Sequence, residues 1–212
     1  MGLKVYAARI SEPSRAVIIF CRANDVEFEE VVIDLSKGQH KTTEYAKINP
    51  MGQVPAITDG ELNLYERYPN EPTQRAKIDV ILDWHHSNLR RGALTYIFNT
   101  TLGSIVGARP NAEIAQKGKK ILCSSLAKIE NLWLKDGLKF LLGNSQPSIA
   151  DLSLSCQVMQ LQAVGEKEAE RILEQHQKIR DWVENVKKAT EPHFSEVHEV
   201  LEYWKNKASP KL

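Results

Sequence analysis

The Asp59-Gly60 dipeptide sits between two short runs, Val54-Pro55-Ala56-Ile57-Thr58 and Glu61-Leu62-Asn63-Leu64-Tyr65. Both turn residues tolerate positive φ, so the runs read as two strands closed by a tight hairpin. Upstream, Leu3-Lys4-Val5-Tyr6-Ala7 reads as a first strand and Arg15 to Ala23 as an apolar helix. Glu29 to Ile33 reads as a second strand, followed by the polar loop Lys37-Gly38-Gln39-His40-Lys41 and a short irregular helix near Thr43 to Lys47. Strand, helix, strand and hairpin thus fill residues 1–66, which is an α/β half.

The pattern then changes period. Ala76, Val80 and Trp84 are spaced for one face of a helix, as are Leu122, Leu126, Ile129 and Trp133. Ile149, Leu152, Cys156 and Met159 form a third stripe, Ile179, Trp182, Val183 and Val186 a fourth, and Phe194, Val197, Leu201 and Trp204 a fifth. These stripes are core seams of an all-helical half. Gly103, Gly107, Pro110, Gly143, Pro147 and Pro192 are the expected breaks. Ser148-Ile149-Ala150-Asp151 is an aspartate version of the capping box and predicts a helix start with a structural role. The domain boundaries read as 1–68 and 69–212.

Charge and composition narrow the function. The chain has 212 residues, 42% hydrophobic and 26% charged, with a net charge of +1. Such a balance offers no large field for nucleic acid or an anionic membrane. Arg90-Arg91, Lys119-Lys120 and Lys187-Lys188 read as solvated helix faces. Cys21, Cys123 and Cys156 are odd in number and widely spaced, which argues for a reducing compartment and against a disulfide framework or zinc site. His85 and His86 are helix neighbours about 100° apart and do not suit one metal. No signal peptide, membrane span, phosphate loop or dinucleotide fingerprint is read. No metal is expected.

The chemistry concentrates at Ser11-Glu12-Pro13-Ser14-Arg15-Ala16, between the first strand and the first helix. A hydroxyl there faces the positive end of a helix, which favours a bound anion. Thioredoxin-like folds carry a Cys-x-x-Cys pair at this turn, and here both positions are serines, Ser11 and Ser14. A hydroxyl does not exchange disulfides, but it donates a hydrogen bond to another molecule's thiolate. By itself Ser11 reads as a turn or cap residue.

Taken together, the motifs resemble the cytosolic glutathione transferases, most closely the theta class of plants. The likeness lies in Ser11 to Phe20, Gly38-Gln39-His40-Lys41, Asn49 to Ala56, Asp83 to Gly92 and Gln146 to Leu152. It implies a thioredoxin-like domain followed by a helical bundle, with glutathione as co-substrate. It implies that Ser11 donates to the glutathione sulfur, whose thiol has a pKa of about 8.5 when free. His40 and Lys41 are implied at the glycyl carboxylate, and Val54, before a cis Pro55, at the cysteinyl unit. Gln53 is implied beside the peptide and Glu66 at the γ-glutamyl amine. The second substrate would be a small electrophile or an organic hydroperoxide, and the assembly a homodimer.

One departure from the family pattern stands out. After Glu66 the chain reads Arg67-Tyr68-Pro69-Asn70-Glu71-Pro72, where the family has a serine and an apolar helix. Pro69 and Pro72 leave no room for a helix in this segment, so the third helix of the first domain is expected to be missing. Arg67 could replace a lost positive contact to the γ-glutamyl end. The alternative to a transferase is then a non-catalytic binding or interaction protein on the same scaffold. The expected location is cytoplasmic, with Pro210-Lys211-Leu212 as a weak peroxisomal address.

Overall fold

The computed structural model describes residues 2–59, 62–64, 72–105 and 107–208. The first half is a mixed sheet of strands β1 (Lys4–Ala7), β2 (Glu29–Val32), β3 (Ala56–Asp59) and β4 (Leu62–Leu64), in the order β2-β1-β3-β4. β1 pairs parallel with β2 and antiparallel with β3, and β3 pairs antiparallel with β4. The expected hairpin is present, with one correction: Asp59 is a strand residue, the last of β3, paired with Leu62, and not the first residue of the turn. Alternation along β1 buries Val5 and Ala7, as the two-residue period of a strand requires.

Helix α1 (Glu12–Ala23) connects β1 to β2. Glu12 and Pro13 stand in its first turn and Arg22 in its last, matching the helix dipole and the missing proline N–H. Ala16, Ile18, Ile19 and Cys21 are all buried. The helix is covered on two sides because it lies between the sheet and helices of the second half: α7 (Ile149–Met159) and α10 (His193–Ala208) both pack on it. A short α2 (Thr43–Ala46) follows the single helical turn Gln39–Lys41 and is capped by the Thr42 hydroxyl.

The second half is helical throughout, as the stripes predict. It contains α3 (Pro72–His85), α4 (Arg91–Ile97), α5 (Gly103–Ile105), α6 (Ala112–Lys128), α7, α8 (Glu166–Leu173), α9 (Gln177–Thr190) and α10. Four stripes are core as read, with Leu122, Leu126, Ile129, Leu152, Cys156, Ile179, Trp182, Val186, Phe194, Val197 and Leu201 buried; the side chain of Trp204 lies outside the described residues. The stripe on α3 is a correction. Val80 is 63% exposed, while Ile78, Ile81 and His85 face inward. Both sets have helical spacing, and contact with α7 selects the second.

Gly103 is a second correction. The helical backbone continues from α3 through widened turns at His86–Arg90 and Phe98–Leu102 into α5, and the chain turns at Gly107, with φ +79°. The α4–α6 crossing depends on two other glycines. A Cβ on Gly92 would stand 2.5 Å from Leu122 N, and one on Gly118 2.7 Å from Tyr96 N. Only glycine lets these backbones approach so closely. His85 and His86 diverge in exposure, one buried and one exposed, yet their rings stack 5.6 Å apart.

Candidate active site

Register brings the first part of the site together. Tyr6 of β1 lies opposite Ala56 of β3. The chain leaving β1 toward Ser11 and the chain entering β3 through Val54 and Pro55 therefore meet at one end of the sheet, on its two central strands. The Val54–Pro55 bond is cis, as the family likeness implied.

Ser11 is the N-cap residue of α1, half-buried, with extended backbone. Its backbone is committed: the N–H donates to Ala8 O at 2.8 Å and the carbonyl accepts from Arg15 N at 3.2 Å. Its side chain makes no cap hydrogen bond. Ser14 differs. Its fully buried hydroxyl accepts from Ala8 N at 3.3 Å and ties the loop to the helix. Of the two serines at the turn, only Ser11 keeps its hydroxyl clear of the backbone.

The second part is a pair of loops locked to each other. Gln39 Oε1 accepts from Asp34 N at 2.7 Å and fixes the turn that carries His40 and Lys41. The Gln53 carbonyl accepts from Tyr45 Oη at 2.7 Å and from Asn49 Nδ2 at 2.9 Å. Burial pushes the Tyr45 phenol up to about 12, so it remains a donor. Gly52, with φ +62°, passes so near the first loop that a Cβ there would lie 3.1 Å from His40 O. His40 and Gln53 thus sit on adjoining loops. The His40 Nδ1 is buried and has no hydrogen-bond partner among the described residues, whereas Lys41 and Gln53 are exposed. Glu66 and Arg67 lie outside the described residues.

Two matches decide the family. Residues 1–66 match the glutathione S-transferase N-terminal domain and residues 112–185 the C-terminal domain. The chain belongs to the theta class of the glutathione S-transferases. It is 50% identical to glutathione S-transferase T1 of Arabidopsis thaliana, covering 95% of this chain and 89% of that relative. Its fold is similar to human glutathione S-transferase T1-1 in the apo form, with a TM-score of 0.85 and 30% identity over 97% of this chain and 91% of that one. Human glutathione transferase theta-2, solved in complex with glutathione and an unknown ligand, matches with a TM-score of 0.83 and 27% identity over 99% of this chain and 93% of that one. Membership makes this protein a transferase enzyme with glutathione as co-substrate.

The basic pairs are corrected in part by the structure of this transferase. Arg90 is not a solvated face residue: its guanidinium pairs with Glu12, which is only 4% exposed. Burial pushes the Glu12 carboxyl above its ordinary range, and Arg90 and Arg15 pull it back. Lys119 likewise reaches Glu168 at 2.7 Å, with Tyr96 Oη and Arg171 on the same carboxylate. Arg15, which sequence reading passed over as one more helix residue, is 0% exposed. A charged residue inside an otherwise apolar helix face was the available signal.

Among the described residues no group of three or more His, Cys, Asp or Glu is placed to hold a metal ion. No helix among them is long and apolar enough to cross a membrane.

Proposed function

We propose that this enzyme conjugates the glutathione thiolate to small electrophiles, with Ser11 as the catalytic hydroxyl. The observation that carries this is the Ser11 side chain itself, at the positive end of α1 and without a cap bond. A hydroxyl and a helix N-terminus both favour the sulfur anion over the thiol, raising its population at neutral pH. The thiolate then attacks an electrophilic carbon and displaces its leaving group. With an organic hydroperoxide it attacks the O–O bond and releases the alcohol. The resulting sulfenic acid condenses with a second glutathione to give the disulfide and water.

His40 and Lys41 are proposed to hold the glycyl carboxylate, Gln53, Val54 and Pro55 the peptide, and Glu66 and Arg67 the γ-glutamyl end. The unpartnered His40 Nδ1 supports the first assignment. The boundary at 68/69 is proposed on the change from sheet to helix between Leu64 and Pro72. We propose further that the chain lacks a helix of the first domain in that interval. The match to the Arabidopsis relative runs over 219 residues, more than the 212 of the whole chain, so it includes positions at which this chain has no residue. Loss of a charge-assisted contact there would cost glutathione about 1.5–3 kcal/mol. A homodimer is the proposed assembly, supported by the exposed Val80 on α3 and Met51 beside Gly52. The proposed compartment is the cytoplasm, supported by the odd number and wide spacing of Cys21, Cys123 and Cys156; peroxisomal puncta of an N-terminally tagged chain would favour the other address.

Calorimetric titration with glutathione, paired with a conjugation assay on an activated aryl halide, tests this reading. Saturable binding and turnover are expected. Folded protein that neither binds glutathione nor turns over would establish the non-catalytic alternative.

A further inference from the structure

The loop that delivers Ser11 has two free backbone carbonyls just before the helix, on Arg9 and Ile10. Both are taken by one guanidinium. Arg15 Nη1 donates to Arg9 O at 2.8 Å and to Ile10 O at 3.2 Å. Its other terminal nitrogen points into the helical half, donating to Cys156 O at 3.1 Å and to Gln160 Oε1 at 2.7 Å. From the opposite side, Arg9 makes a two-pronged pair with Glu30 at 2.8 Å per bond, and Glu30 also holds Arg22 at 3.2 Å.

We propose that Arg15 is a positioning residue for the Ser11 hydroxyl, fastening the Arg9-Ile10 loop of the first half to α7 and the turn after it. The inference rests on the reading that Ser11 serves the glutathione sulfur. A planar fork with fixed donors suits this task in a way a lysine does not, because two loop carbonyls and two helix acceptors must be met at once. The groups facing the fork leave it the charge to do so. Burial pushes the Cys156 thiol up to about 12 and holds His198 down to about 3, so both are neutral near pH 7. Glu12 is the remaining acid, and Arg90 shares it. The hydroxyl must sit within hydrogen-bond reach of sulfur, and displacement by about 1 Å is enough to cost a large part of such a contact.

The test is the pH midpoint for ionisation of enzyme-bound glutathione, read by thiolate ultraviolet absorbance, alongside kcat and KM for glutathione. Arg15→Lys keeps the charge and loses the fork. It should raise the midpoint by about one unit, leaving about tenfold less thiolate below it. kcat should fall in proportion while KM changes little. Gln160→Met removes one acceptor from a far helix and should shift kcat by about threefold in the same direction; Gln160→Glu, which keeps an acceptor, should restore the wild-type midpoint. If Arg15→Lys does not fold, Gln160→Met and its rescue decide the matter. Folded Arg15→Lys and Gln160→Met proteins that ionise glutathione at the wild-type midpoint overturn this inference alone. A wild type that leaves the thiol at its free value overturns the Ser11 reading and this inference with it.

Discussion

Helices α1 and α7 both start on a serine, Ser11 and Ser148, and the two hydroxyls are spent in opposite ways. At α7 the hydroxyl accepts from Asp151 N and donates to Asp151 Oδ2 at 2.7 Å, while that same oxygen accepts from Ser148 N at 2.8 Å. Asp151 Oδ1 accepts from Leu141 N at 2.8 Å and from Trp182 Nε1 at 2.9 Å. Every bond closes within the protein, and Asp151 is 0% exposed. At α1 the cap hydroxyl makes no such bond. Ser14, Pro13 and the Ala8–Ser11 turn take over the local work instead. A helix start that satisfies itself contributes stability; one that leaves its hydroxyl and positive end uncommitted is available to an anionic ligand.

The contrast can be broken most sharply at Asp151. Asp151→Ala strands the Leu141 N–H and the Trp182 indole N–H in the core and should lower unfolding free energy by about 3–5 kcal/mol, read by denaturant titration. The next largest effect belongs to the other helix and to a different measurement. Ser11→Ala should cut kcat by about a hundredfold, in line with removal of one preorganised donor to a developing anion, with the melting temperature nearly unchanged. A stability loss without a kinetic one would make the two helix starts alike.

Ser14→Ala sharpens the comparison within α1. It leaves Ala8 N without its acceptor and should cost about 1–3 kcal/mol of stability, measured by thermal melting. Smallest of all, Ser148→Ala should cost about 1 kcal/mol, since Asp151 still accepts from the Ser148 backbone, and kcat should not move.

Much of this was legible in the residues. The hairpin, the strand order along the chain, four helical stripes and the capping box at Ser148 follow from local periods and turn chemistry. Ser11, His40, Gln53, Val54 and Pro55 are proposed as site residues from their likeness to a family pattern, since each alone is an ordinary loop or cap residue. Legibility failed where two local readings were equally good. On α3, Ala76-Val80-Trp84 and Ile78-Ile81-His85 are both helical faces, and nothing in the helix itself says which one meets α7. Gly103 looked like a break because glycine is a poor helix former, but the helical backbone runs on from Phe98–Leu102 into Gly103–Ile105.

The sequence by itself determined where strands and helices form, because hydrophobic period, caps and turn residues act over a few positions. Only the tertiary structure decided which serine is free, that Arg15 and Arg90 turn inward, and that Gly92 and Gly118 mark a helix crossing. Those outcomes depend on partners far along the chain, such as Gln160 for Arg15 and Leu122 for Gly92. Burial of a charge or close approach of two backbones is settled by what the other element offers there.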